Sequence, residues 1–330
     1  MNLLIQTENM AQKSLKWMAL LLIIAAVLVS AFKGLKPDPQ FLLDYIGRNL
    51  HSAWSGLLDQ YKMNSYLFWA PLAGIFLAER FIPIKKQQKL FTVGFFQDLV
   101  WFVTVPVFGV FLVYRFKSTF KNIYEKYFDF FSIDVLVALP VPLQIIIVIL
   151  AVDFLSWFSH LLKHKVKLFW HFHSIHHSQR EMNFMTDARV HPVERMISVV
   201  IRFFPMTLLE LRHGVPLGIA WWFFTTWHTL VYHASIHTNY GLLRYILVTP
   251  QSHRIHHSSQ PRHQDLNYGV IFSFWDRLFG TQYRHYDEYP DTGVADDEFP
   301  VERRLGVWSL LHTLLLQLIY PFRMIIHRGI

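Results

Sequence analysis

An all-α membrane fold, with about four to six transmembrane helices and a histidine-rich cap on the cytoplasmic side, is the class this sequence predicts. Three observations carry that expectation. Hydrophobic residues make up 53% of the 330 and charged residues only 16%, where soluble proteins carry about 25% charged. Apolar runs near the 20 residues needed to cross a bilayer recur along the first half. Of the 19 histidines, most crowd into the stretch from His160 to His263 and suggest a metal site. The composition also excludes much. Disorder and disulfide scaffolds are ruled out, and with no Cys so are thiolate nucleophiles, Cys-ligated zinc and iron–sulfur clusters. The net charge of +8 reads as basic loops facing anionic lipid, with no nucleic-acid partner.

The elements follow in order. Residues 17–32 form a first, slightly short run, expected to be a retained anchor because no small-x-small cleavage site follows it. Runs 66–84 and 93–114 come next. A fourth covers about 135–158, with Pro140 and Pro142 near its start. Runs 196–211 and 215–232, joined by Arg212-His213-Gly214, predict a hairpin that either spans fully or is half-buried. Residues 305–326 are amphipathic with arginines at the edges, which predicts an interfacial helix, a spanning one being the alternative. Three units result: N-terminal transmembrane helices (1–134), a catalytic domain (135–302) and a C-terminal amphipathic or membrane helix (303–330).

Basic residues orient these runs. Lys13 and Lys16, then Lys85, Lys86 and Lys89, then Lys163, Lys165 and Lys167 are separated by even numbers of crossings. The positive-inside rule makes their common side cytoplasmic. The expected location is a multi-pass membrane protein with its site facing the cytoplasm, in the inner membrane of a bacterium or the endoplasmic reticulum of a eukaryote.

Four histidine clusters stand out: His160 with His164; His173, His176 and His177; His233 with His237; His253, His256 and His257. Each contains a pair four residues apart, and the two triples add a member at i+3. On a helix such spacings put imidazoles on one face, about 5–6 Å apart at Cβ. A pair at i,i+4 can hold one metal, and the i+3 ring can reach a second beside it. The pair-then-triple pattern occurs twice, each time starting where an apolar run ends. Ten imidazoles allow about five for each of two metals. Imidazole suits iron, zinc, copper and nickel, and iron would leave positions open for O2 chemistry. Burying so many imidazoles without a metal would cost desolvation and mutual repulsion. By contrast His51, His213, His285, His312 and His327 are isolated and read as ordinary core or interfacial residues. His171, His228 and His263 read as surface or headgroup contacts.

Further motifs join these boxes: Phe169-Trp170, His177-Ser178, Arg189-Val-His191-Pro192, Thr249-Pro250, Asn267-Tyr268-Gly269 and the run Trp275-Asp276-Arg277-Leu278-Phe279-Gly280-Thr281. From Asp153 to Tyr283 the chain resembles the fatty acid hydroxylase/sterol desaturase superfamily of integral-membrane di-iron oxygenases. The resemblance implies a dinuclear centre that uses O2 and two external electrons to hydroxylate or desaturate a lipid. Sterols, fatty acyl chains, ornithine lipids, carotenoids and alkylglycerols are the substrates of such relatives. Residue by residue, it implies as ligands His160, His164, His173, His176, His177, His233, His237, His253, His256 and His257, binding two iron ions, with zinc able to replace iron in a purified sample. In the third cluster, His237-Thr238-Asn239 fits the family pattern better, which makes His233 the less secure ligand.

Around the boxes, Asp153 sits seven residues before His160 inside an apolar run. An intramembrane carboxylate is a functional candidate, expected to accept an N–H from a ligand imidazole. Asp187 and Asn267 are similar, weaker candidates, and His191 beside Pro192 is expected to support the site or close a loop. No catalytic residue beyond the metal ligands is indicated. No motif for a nicotinamide or flavin site occurs, so electrons would come from a separate donor of cytochrome b5, ferredoxin or pterin type. The rival readings are a zinc-dependent membrane lipid hydrolase and a metal transporter built on the same histidines.

Overall fold

In a computed structural model the described residues are 66–86, 89–104, 139–207 and 224–328, with isolated positions between 119 and 127. The run at 17–32, the far half of 93–114 and the hairpin turn around residues 208–223 lie outside them. Among the described residues the chain is all-helical, with isolated bridges and no named strand.

Helix α1 covers Tyr66–Phe81 and α2 Val93–Thr104. Helix α3 (Val141–Lys165) starts at Pro140-Val141-Pro142, where a missing N–H is harmless. It ends with Lys163, His164 and Lys165 against its negative dipole end. Val166 is extended (φ −95°, ψ 110°), and the chain re-enters a helix at once as α4, Lys167–His177. This one-residue break turns the second histidine box back towards the first. Helix α5 is Pro192–Thr207, and α6 is the short Thr229–His233 following a π turn at Phe224–His228. Helix α7, Pro250–His256, opens on a capping box: Thr249 and Ser252 each bond the other's backbone N–H, and Pro250 follows the cap. Helix α8 is Phe274–Leu278 and α9 Val307–Arg328.

Helix α3 packs on α4 and α5, α9 packs on α4, and α7 on α6. Among the described residues two helices are long and apolar enough to cross a membrane, α3 and α9. On α9 an inner face of Leu310, Leu314, Gln317, Tyr320 and Met324 is buried, while Trp308, Leu315, Ile319 and Ile326 lie exposed on the other face. The helix is thus long enough for the spanning alternative, and its two faces carry the amphipathic character read from residues 305–326.

Buried polar ties join the layers. Arg189 donates to Asp98 of α2 (2.6 Å) and to Glu302 ahead of α9 (2.9 Å). Glu79 of α1 accepts the backbone N–H groups of Phe184 and Ser235.

Candidate metal centre

Four helices converge on one polar core. The last turns of α3 supply His160 and His164, and α4 supplies His173, His176 and His177. His233 ends α6, and His253 and His256 lie on α7 with His257 as its C-cap. These nine rings divide into two groups whose ligand nitrogens lie within 4.8 Å of one another: His160, His164, His173, His177 and His256 in one, His176, His233, His253 and His257 in the other. Each triple splits by helical geometry. His173 and His177 go to the first group and His176 crosses to the second; His253 and His257 go to the second and His256 crosses to the first. The groups adjoin, with His177 and His257 stacked at 4.2 Å between ring centroids.

The outer nitrogens decide what the inner ones present. His160 Nδ1 donates to the Tyr268 carbonyl (2.9 Å), His256 Nδ1 to the Leu266 carbonyl (2.8 Å) and His173 Nδ1 to the Glu194 carboxylate (2.8 Å). Those acceptors fix the neutral tautomer, so all three Nε2 lone pairs belong to the first group. Yet His160 Nε2 and His173 Nε2 are 3.1 Å apart, two lone pairs at hydrogen-bond distance with no proton between them. His256 Nε2 is buried without a partner, as is His164 Nε2. In the second group His233 Nδ1 donates to the Thr229 carbonyl (2.7 Å), leaving its Nε2 2.9 Å from His253 Nε2.

Protonation does not resolve these contacts. Burial, reinforced by neighbouring cationic and imidazole groups, holds His173, His176, His177, His253 and His257 well below the usual histidine range. Burial, only partly offset by the backbone carbonyls they donate to, takes His256 to about 4 and His233 to about 3. Neutral imidazoles with inward lone pairs are the donor set a divalent transition metal requires, so the residues present fit the metal that the histidine boxes imply.

The supporting residues act differently from the sequence expectation. Asp153 does not touch an imidazole. It accepts the backbone N–H groups of Ile271 and Phe272 and the indole N–H of Trp275, each at 3.0 Å. Asp276 does the same one step along, accepting from Trp157 Nε1, Tyr268 N, Gly269 N and the Thr281 hydroxyl. The two carboxylates clamp the loop whose Tyr268 carbonyl orients His160. Gly269 is required there, because a Cβ would fall 2.8 Å from Val248 Cγ2 and 3.0 Å from Asp276 Oδ2. Asn267, at φ 59°, donates to the Ser252 carbonyl of α7 and accepts from Tyr283 N and Gln282 Nε2. Asp187 lies 3.5 Å from His233 Nδ1, its carboxyl pushed up to about 6 by burial. His191 closes a loop away from the cluster, donating from Nε2 to the Leu318 carbonyl and accepting Val193 N–H at Nδ1.

Glu194 is the residue that sequence reasoning missed. Its Oε1 accepts from His173 Nδ1 and, at 2.9 Å, from Lys163 Nζ, making a buried Lys–Glu–His chain that ends at the cluster. The available signal was an acid in the first turn of a helix just after His191-Pro192.

His237 is not brought to the cluster. It is exposed and its ring stacks on Tyr289 at 4.2 Å. Helix α6 stops at His233 and Ala234 is extended (ψ 147°), so the four-residue spacing to His237 is not helical. His263 and His171 are buried, not surface contacts; His263 Nδ1 lies 2.9 Å from the Ser258 hydroxyl. His228 is half-buried.

Two cavities flank the cluster. One, of about 280 Å³, is bounded by His164, His177 and His256 together with Trp170, Ser258, Gln264 and Asp265 of the cap. The other, of about 260 Å³, lies between α3 and α5 and reaches His160, His173, His176, His233 and His253.

Residues 145–281 match the model of the fatty acid hydroxylase family. The chain is 29% identical over 144 residues to the ornithine lipid hydroxylase OlsE of Rhizobium tropici, covering 43% of this chain and 42% of the relative. It is 33% identical over 136 residues to alkylglycerol monooxygenase of Xenopus tropicalis, covering 40% and 29%. With methylsterol monooxygenase 1 of Rattus norvegicus it shares 29% over 140 residues, covering 41% and 46%. The chain therefore spans less than half the length of each of these relatives. No solved structure matches it.

Proposed function

We propose that the chain is a membrane-embedded oxidoreductase that holds two iron ions in the nine-histidine cluster and hydroxylates or desaturates a lipid. The observation that carries this reading is the set of fixed tautomers. His160, His173 and His256 each surrender Nδ1–H to an outer acceptor and keep Nε2 lone pairs crowded together in a buried core. Similarity to three lipid hydroxylases and monooxygenases supports the reaction class.

Bound iron would supply activation of O2 with two electrons from a separate protein or pterin donor. The chain's own residues hold the ligands neutral and orient them through Glu194 and the Tyr268 and Leu266 carbonyls. The cavity between α3 and α5, which reaches members of both groups, would admit the lipid, while the cap cavity leaves His164, His177 and His256 of the first group approachable from outside the membrane. Iron binding, the cytoplasmic orientation and a multi-pass topology belong to this proposal.

The test is metal analysis of protein purified with iron present and chelators absent, paired with lipid profiles of cells with and without the gene. Two metals per chain and a lipid gaining one oxygen or losing two hydrogens are expected. Zinc can displace iron in an overexpressed sample because it stands above iron in divalent affinity. His256→Ala and His176→Ala should lower metal content, whereas His312→Ala and His327→Ala should leave it unchanged. A single well-occupied metal, or a metal content indifferent to His176 and His256, overturns the proposal.

A further inference from the structure

The cavity between α3 and α5 holds more positive charge than a neutral lipid needs. Arg195 and Arg202 both line it, seven residues apart on α5 and so on one face, together with Lys163 and the hydroxyls of Ser156, Ser159 and Ser198. The acids nearby make their close contacts with other groups. Glu194 takes Lys163 and His173, and Asp187 faces His233. Arg195 Nε is buried with no hydrogen-bond partner, and so is Ser159 Oγ. Arg202 donates Nε to the Ser198 carbonyl at 3.3 Å, which leaves its terminal nitrogens for a ligand. Asp187 feels the charge of Arg195 and Glu194 that of Arg202, but among the described residues neither guanidinium is in a close ion pair. Lys163, Arg195 and Arg202 set against Glu194 and Asp187 leave one net positive charge before any metal is counted.

A buried guanidinium nitrogen without an acceptor is costly, and planar guanidinia match the paired oxygens of phosphate or carboxylate. We propose that this cavity receives the anionic head group, a phosphate or carboxylate, of an amphiphilic substrate. Arg195 and Arg202 are its recognising residues, and the hydroxyl of Ser159 is a further donor. The same cavity touches five of the cluster histidines, so a head group held by the arginines keeps the attached chain beside them. This inference rests on the reading of the cluster as a lipid-oxidising centre and adds to it the charge of the substrate.

The test measures binding by the full chain in phosphatidylcholine nanodiscs, with and without iron. The probes are oleoyl lysophosphatidate, neutral mono-oleoylglycerol and inorganic phosphate. Lysophosphatidate is expected to bind at least about 10-fold more tightly than mono-oleoylglycerol. Arg195→Gln and Arg202→Gln should each lose on the order of 10-fold, and the double variant should bind both lipids alike. Arg304→Gln, on the exposed segment before α9, should change nothing. Equal binding of the two lipids by the wild type, or undiminished preference in the double variant, overturns the proposal. Inorganic phosphate binding as tightly as lysophosphatidate also overturns it, since the lipid chain would then contribute nothing. Unchanged thermal midpoints and metal contents in the arginine variants separate lost recognition from lost folding. Failure of the chain to hold iron, with the charge preference intact, would fall on the oxidative reading alone.

Discussion

Glu194 and Asp153 are both buried carboxylates near the cluster, but they act on different objects. Glu194 neutralises Lys163 and accepts from His173, so Glu194→Gln removes the charge that orients a ligand and leaves an ammonium unpaired. Metal affinity should fall by about 10–100-fold, and stability should fall by about 3–5 kcal/mol. Adding Lys163→Met removes the stranded charge. The double variant should recover most of the stability and none of the metal affinity, which metal titration and denaturant unfolding distinguish. Asp153 instead receives three N–H groups from the loop after Asn267. Asp153→Asn turns an amide NH2 towards at least one of them, at a cost of about 1–3 kcal/mol. Metal content per folded molecule should stay near normal, because Asp153 reaches His160 only through the Tyr268 backbone. A large loss of metal at unchanged stability would contradict this placement. The sequence located Asp153 as important through its charge within an apolar run. It could not reveal the partners, which lie 118 or more residues away.

At the scale of elements, the histidine boxes were legible wherever helix was continuous. His160 with His164 lies on one helix, and His173, His176 and His177 follow on the next, so i+3 and i+4 spacings translate directly into faces. The third box misled because α6 ends at His233 and the periodic rule ends with it. The loop at 267–276 was visible as motif residues, but its work is done by backbone N–H groups that carry no sequence signal. His191 offers an element-level test, since it ties the start of α5 to the Leu318 carbonyl of α9. Burial takes its pKa down to about 4, against about 6.5 for a free imidazole. The unfolded chain therefore takes up the proton first as pH falls. The full contribution is present above about 6.5 and is lost between about 6.5 and 4, amounting to about 3 kcal/mol at most. His191→Gln should flatten the acid limb of stability against pH by that order, measured as thermal midpoints of the metal-loaded protein. An acid limb identical to wild type would show that His191 titrates as if exposed.

For the whole molecule, the decisive relation is between the two long apolar helices and the cap. Lys167, just beyond the C-terminal end of α3, donates to the Arg328 carbonyl at the C-terminal end of α9 (2.6 Å). Lys165 pairs with Asp265 of the cap at 2.6 Å. The C-terminal ends of both helices and the histidine cap therefore meet in one layer, rich in Lys163, Lys165, Lys167 and Arg328. If α3 and α9 cross the bilayer, that layer lies on one side of it, and its positive charge favours the cytoplasmic side. The absence of native cysteine makes the test clean, since an introduced thiol is the sole labelling site. Lys165→Cys removes an exposed ion pair worth about 0–1 kcal/mol, and Ser259→Cys lies on the cap beside Asp291. Both thiols should react with a membrane-impermeant reagent only after the cytoplasmic face is opened. Reaction of the two from opposite sides would break the layer that the Lys165–Asp265 and Lys167–Arg328 contacts define, and reaction of both from outside would invert the orientation while leaving that layer intact.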